Sequence, residues 1–174
     1  TGGTHPYSKA WQPALFEYPT AMSGYPAGTL MLVGNFVEGS ANPLNDISSN
    51  FEEWRSTNDG ASWSYVGIIQ DGGPDGSGVW EPFITSNGST IQLNFSDERQ
   101  ASTYSQFIGH IVSTDGGSTW SANPNGSTRV APGEIKDVAS SNQGDRPGMP
   151  TIAIEGNGNR VMAYECPGYC EAHY

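Results

Sequence analysis

The amino-acid sequence predicts an all-β fold of many short antiparallel strands, and three observations carry that prediction. First, Gly (23 residues) and Pro (12) are abundant among many Ser, Asn and Thr, with no long stretch of helical periodicity, a composition of strands joined by tight turns. Second, the apolar runs, among them Leu30-Met31-Leu32-Val33 and Ile91 to Phe95, have the length of strands rather than of helices. Third, the octapeptide at 113–120, Ser-Thr-Asp-Gly-Gly-Ser-Thr-Trp, recurs in degenerate form at 56–63 as Ser-Thr-Asn-Asp-Gly-Ala-Ser-Trp. In such a segment the Asp or Asn side chain folds back onto nearby backbone amides, Gly supplies a left-handed turn residue, and Trp covers the turn. Two copies 57 residues apart indicate a repeated structural unit.

The octapeptide resembles the Asp-box of sialidase-type β-propellers, and each element can be placed around it. In the first unit, from Trp11 to Val37, Gly28 to Gly34 reads as a buried inner strand. Glu38 to Asn50 reads as an exposed loop, Phe51 to Arg55 leads into the first box, and Tyr65 to Ile69 leaves it as an outer strand. The second unit runs from Val79-Trp-Glu-Pro-Phe-Ile84 through a turn at Ser86 to Ser89, a strand at Ile91 to Phe95, and Phe107 to Val112 into the second box. The third begins at Arg146 to Ile154, turns at Glu155 to Asn159 and continues with Arg160 to Glu165. Residues 1–174 thus read as a single propeller segment of about three blades, with the remaining blades expected from the same or another chain.

Charge and cysteine usage narrow the function classes. A net charge of −11 disfavours a nucleic-acid partner, since phosphate binding needs a basic surface. No run approaches the ~20 apolar residues of a membrane-spanning helix. Five Trp and eight Tyr suit a neutral carbohydrate ligand, although most such aromatics serve as core or turn covers. Cys166 and Cys170 flank a Pro-Gly turn and read as a local disulfide of a secreted, extracellular protein. His5, His110 and His173 are scattered, so neither a metal site nor a cofactor is expected.

Candidate chemistry lies in carboxylates near strand starts. Glu81 is flanked by Trp80, Pro82 and Phe83, an apolar setting that disfavours its ionised form, and Glu165 follows Met162-Ala163-Tyr164. A pair of this kind is what glycoside hydrolysis needs, one carboxylate to attack or stabilise the anomeric carbon and one acid to protonate the leaving oxygen. The alternative is that each Glu caps a strand or pairs with Arg99, Arg146 or Arg160.

At these residues the sequence resembles the exo-arabinanases of glycoside hydrolase family 93. The resemblance rests on Val79-Trp80-Glu81-Pro82-Phe83, Ser96-Asp97-Glu98-Arg99, Arg146-Pro147-Gly148-Met149 and Tyr164-Glu165-Cys166, in that order with the boxes between, and Phe95 departs from it where a tyrosine is expected. The resemblance implies a secreted, mostly fungal, six-bladed propeller that releases arabinobiose from linear α-1,5-L-arabinan with retention. It implies Glu81 as nucleophile and Glu165 as acid/base, the pair being firmer than the order, with Trp80, Asp97, Arg146 and Tyr164 lining or orienting the site. Two alternatives stand beside it. A sialidase requires an arginine cluster, which seven basic residues and the lack of a Phe-Arg-Ile-Pro motif disfavour. A non-catalytic, lectin-like propeller would use Trp and Tyr as stacking platforms. Among the sequons, Asn87 and Asn125 fall in predicted turns and are open to N-glycans, whereas Asn94 falls in a strand.

Overall fold

The computed structural model describes residues 9–38, 48–72, 77–121 and 133–168. The first sheet contains β1 (Lys9–Glu17), β2 (Leu30–Glu38), β3 (Ser48–Ser56) and β4 (Ser64–Gln70); the second contains β5 (Val79–Asn87), β6 (Thr90–Asp97), β7 (Phe107–Ser113) and β8 (Ile135–Val138). β9 (Gly148–Ile154) and β10 (Arg160–Glu165) pair as a third, two-stranded sheet. In each sheet the strands follow chain order and run antiparallel. The first strands of the three sheets come together, β5 packing against both β1 and β9. The architecture is all-β and propeller-like, two complete four-stranded blades followed by the first two strands of another.

Two strand assignments from sequence need correction. The apolar run Gly28 to Gly34 belongs to β2, the second strand of its blade; the innermost strand is β1. β2 buries one face fully, with Met31, Val33 and Val37, and keeps Leu32 and Phe36 of the other face half-buried, whereas β1 leaves Trp11 and Leu15 exposed. Burial therefore marks the middle of a blade, not its axial edge. The expected loop from Glu38 to Asn50 is also too long, because β3 begins at Ser48. Ser49 and Asn50 are buried, Ser49 Oγ donating to Val79 O (2.7 Å) and Asn50 Oδ1 accepting from Gly72 N (2.8 Å). Their polarity serves bonds to the following segment and the neighbouring blade.

The core lies between the first two blades. Met31, Val33, Phe51 and Ile69 from the first meet Val79, Ile91, Leu93, Phe95 and Ile111 from the second, and Phe51 and Phe95 pack edge to face at 5.3 Å. Phe95, where a tyrosine was expected, fills this apolar seam with no polar group to satisfy.

The octapeptides behave as their residues require. Ser56 Oγ accepts from Gly60 N (2.9 Å) and Asn58 Oδ1 from Ser62 N (2.9 Å); at the corresponding places Ser113 Oγ accepts from Gly117 N (2.7 Å) and Asp115 Oδ1 from Thr119 N (2.8 Å). Gly60 and Gly117 have φ of 82° and 81°, where a Cβ is disfavoured. The second copy is clamped onto the preceding blade. Gly116 O accepts from Tyr18 Oη (2.6 Å) and Arg55 Nη2 (2.7 Å), and Trp120 Nε1 donates to Glu53 Oε2 (3.2 Å).

Candidate active site

One three-residue device opens each innermost strand: Trp11-Gln12-Pro13, Trp80-Glu81-Pro82 and Gly148-Met149-Pro150. The central residues have φ of 48°, 59° and 51°, uncommon for residues with a Cβ and more so before proline. In each blade the register slips here, so that the central residue and its proline oppose a single residue of the second strand: Gly34, Phe95 or Tyr164. These are β-bulges, which bend a strand end and re-aim a side chain. Strained backbone at three equivalent places marks this end of the strands as a functional candidate. Both octapeptides lie at the opposite end, since Ser113 pairs with Ile91 while Asp97 pairs with Val79 and Phe107.

Glu81 is the best-held group in the cluster. Its Oε2 accepts from Ser96 Oγ (2.7 Å) and Met149 N (2.6 Å), and its own N–H donates to Gln12 Oε1 (3.0 Å). The carboxylate thus sits among donors rather than in the apolar setting expected from Trp80, Pro82 and Phe83. A Cβ on Gly148 would lie 3.0 Å from Glu81 Oε2 and 2.5 Å from Gln106 Nε2, so glycine lets the third blade close on the carboxylate. Glu165 is exposed and pairs directly with Gly148 in the β9–β10 ladder. Paired strand residues have Cα atoms about 4.5–5.5 Å apart. The chain therefore places Glu81's carboxylate against one strand and Glu165 on its immediate neighbour, at the same end.

The surrounding polar groups form one network. Glu98 accepts from Trp80 Nε1 (2.8 Å) with one oxygen and from Arg146 Nη2 with the other. Arg146 also donates to Gln106 Oε1 (3.0 Å) and Ser105 Oγ (3.0 Å), and Gln106 Nε2 donates to Pro147 O (2.9 Å). Trp80 stacks on Trp11 with ring centroids 6.2 Å apart and planes 27° from parallel. Trp11 is 42% exposed, and Met149, on the other side of β5, is 55% exposed. Aromatic face, guanidinium and carboxylates together suit a neutral polyhydroxyl ligand better than an ionic one.

Of the residues expected here, Trp80, Glu81, Arg146 and Glu165 are gathered at this end, and Tyr164, half-buried, lies opposite the bulge of its own blade. Asp97 does not line it. It is fully buried and holds Arg99 through both oxygens, at 2.5 Å to Nη2 and 3.0 Å to Nε, while Arg99 Nη2 also contacts Glu134 Oε2 at 2.5 Å. Burial, reinforced by the negative charge of Asp97 and opposed by Arg99, holds the Glu134 carboxyl up at about 8. Gln12 and Trp11 are not among the site residues expected from sequence, and Ser96 and Glu98 enter there only as members of the Ser96-Asp97-Glu98-Arg99 motif. The recurring x-x-Pro at Pro13, Pro82 and Pro150, 69 and 68 residues apart, was the signal that would have found Gln12. Cys166 is disulfide-bonded; Cys170, its expected partner, lies outside the described residues. Asn94 is fully buried and donates to Asp137 Oδ2 (2.9 Å), which leaves no room for a glycan; Asn87 is exposed, and Asn125 lies outside the described residues.

Neither a family model nor a curated protein matches the chain. Solved structures do. The GH93 α-L-arabinofuranosidase of Fusarium graminearum, determined with arabinobiose, superposes with a TM-score of 0.74 at 29% identity, covering 90% of this chain and 40% of that one. The α-L-arabinanase of Penicillium chrysogenum, also with arabinobiose, gives 0.73 at 30%, covering 90% and 41%. A GH43_1 enzyme of Xanthomonas citri, at 0.53 and 14%, shares the fold alone. The chain spans about two fifths of the length of these structures. In fold and in sequence this chain is similar, over nine tenths of its length, to the glycoside hydrolase family 93 enzymes that its ordered motifs resemble.

Proposed function

We propose that the chain carries the catalytic half of a secreted, retaining glycoside hydrolase that releases arabinobiose from the end of linear α-1,5-L-arabinan. The observation that carries the reading is the docking of the Glu81 carboxylate on the Gly148–Met149 backbone, whose ladder partner is Glu165. Retaining glycosidases hold two carboxyl groups roughly 5 Å apart, close enough for one to bond to the sugar while the other serves the leaving oxygen. Glu81 suits the nucleophile, because donors fix its orientation; exposed Glu165 suits the acid/base, which must meet both leaving group and water. Attack by Glu81 forms a bond to the anomeric carbon as the glycosidic C–O bond breaks, and the proton of Glu165 passes to the departing oxygen. Water, deprotonated by Glu165, then displaces Glu81. Trp11 and Trp80 offer a face for sugar stacking, and Arg146 donates toward hydroxyls.

Hydrolysis of linear arabinan by wild type, Glu81→Gln and Glu165→Gln tests this. We expect each variant to fold and to lose several orders of magnitude in arabinobiose release, roughly the cost of removing a catalytic group. Near-normal release by both variants overturns the catalytic reading in favour of carbohydrate binding on the Trp11–Trp80 pair.

A further inference from the structure

We propose that Gln12 is a positioning residue for Glu81, and that a hydrogen-bond relay running from blade to blade decides which oxygen of Glu81 meets the substrate. The inference rests on the catalytic reading of Glu81 given above. Its basis is a contact made twice. The side chain of the first bulge accepts from the backbone N–H of the second, Glu81 N to Gln12 Oε1 at 3.0 Å; the side chain of the second accepts from the N–H of the third, Met149 N to Glu81 Oε2 at 2.6 Å. Gln12, Glu81 and Met149 share the same positive φ, the same following proline and the same register slip, so the relay is a property of the repeated backbone.

Two consequences follow for the reaction. Among the described residues both hydrogen bonds to the Glu81 carboxylate end on Oε2, from Ser96 Oγ and Met149 N, which makes Oε1 the oxygen turned to the sugar. In the attack Oε1 forms the bond to the anomeric carbon and the electron pair of the broken glycosidic bond leaves with the oxygen protonated by Glu165. Gln12, from the other side, satisfies the N–H that the bulge removes from its own ladder, and fixes the backbone from which the carboxylate projects. A neutral amide suits this position, because a carboxylate there would set a second negative charge beside the nucleophile.

The test uses the full chain with Gln12→Leu, which removes the acceptor at similar size, and Gln12→Glu, which keeps an acceptor and adds charge. In Gln12→Leu we expect the Glu81 amide to exchange with solvent about ten-fold faster, and kcat on linear arabinan to fall roughly ten-fold with KM changed less than two-fold. In Gln12→Glu the amide keeps its protection while the acid limb of the kcat/KM profile moves to higher pH, which a purely structural residue would not cause. Unchanged Glu81 exchange in Gln12→Leu, or unchanged kcat, overturns the proposal; amide exchange decides alone where turnover is too slow to follow. Failure of the catalytic reading looks different. There Glu81→Gln retains hydrolysis while the Gln12→Leu exchange effect persists.

Discussion

Two arginines among the described residues are buried, at opposite ends of the strands, and they are employed differently. Arg55 lies at the octapeptide end with a single carboxylate, Glu53 Oε1 at 2.6 Å, and spends its remaining capacity across the seam on Gly116 O of the next blade and on the face of Tyr25, 4.3 Å away. Arg99 lies beneath the candidate active site, between the two carboxylates Asp97 and Glu134, and reaches back to Asp71 O (3.2 Å) in the connection from the first blade. One is a charge-balanced clamp between blades; the other leaves a carboxylate in excess. Each buried cation is secured by its partners, and burial beside Asp97 pushes the Glu134 carboxyl of the second cluster up to about 8.

The largest effect should come from breaking the balanced clamp. Arg55→Met removes the cation and leaves Glu53, fully buried and already displaced upward in pKa by burial, without a counter-charge. Stripping one partner from a buried pair costs about 3–5 kcal/mol. Denaturant unfolding of Arg55→Met should show a loss of that order, and Glu53→Gln in the same chain should restore part of it. A loss below about 1 kcal/mol would mean that Tyr18 and Trp120 hold the seam unaided.

The unbalanced cluster should instead respond to pH. A carboxyl held up at about 8 in the folded chain favours folding in its protonated form. Its contribution is fully present below the ordinary value of 4.5 and is lost as pH rises through about 8. Tm should therefore fall by a few degrees between pH 5 and pH 9, at about 2–4 °C per kcal/mol for a domain of this size. Glu134→Gln should flatten that fall. A slope that persists in the variant would assign the dependence to another group.

These two clusters also show what the sequence could and could not reveal. The octapeptides were legible down to their bonds, because an Asp or Asn that folds onto its own turn needs no distant partner. Strands β5, β6, β7, β9 and β10 were legible from apolar runs bounded by turn residues. Strand β1 was not: it faces the axis, keeps Trp11 and Leu15 exposed, and carries a proline and a bulge where an alternating pattern would be sought. Asp97 is expected at the site only through the resemblance, and Arg99 only as a pairing partner for Glu81 or Glu165. Pairing them inward with Glu134 depends on a contact between residues 35 positions apart, which no local pattern announces. At the site itself, Trp80, Glu81, Arg146 and Glu165 carried recognisable chemistry. Gln12 and the glycine at 148 acquire their roles only when neighbouring blades meet at Glu81, and Ser96 only when β6 pairs with β5.

The smallest expected effect tests whether the two octapeptides are interchangeable despite their different surroundings. Asn58 uses Oδ1 for Ser56 Oγ and Ser62 N and donates from Nδ2 to Ser62 Oγ, each at 2.9 Å. Asp115 accepts from Ser113 Oγ (2.8 Å), Thr119 N (2.8 Å) and Thr119 Oγ1 (2.7 Å), so an asparagine there can make the same three bonds once the Thr119 hydroxyl turns. Burial alone would push the Asp115 carboxyl up, but the bonds from Thr119, Ser113 and the Ser118 backbone outweigh it and hold the group below its ordinary 3.8. A depressed carboxyl contributes stability above 3.8 and loses it as pH falls through the lower folded value. Asp115→Asn should thus leave neutral-pH stability within about 0.5 kcal/mol of wild type, and remove part of the decline in Tm below pH 4. A neutral-pH loss well above that margin would show that the charge, not the bond pattern, seats the second octapeptide beside Arg55.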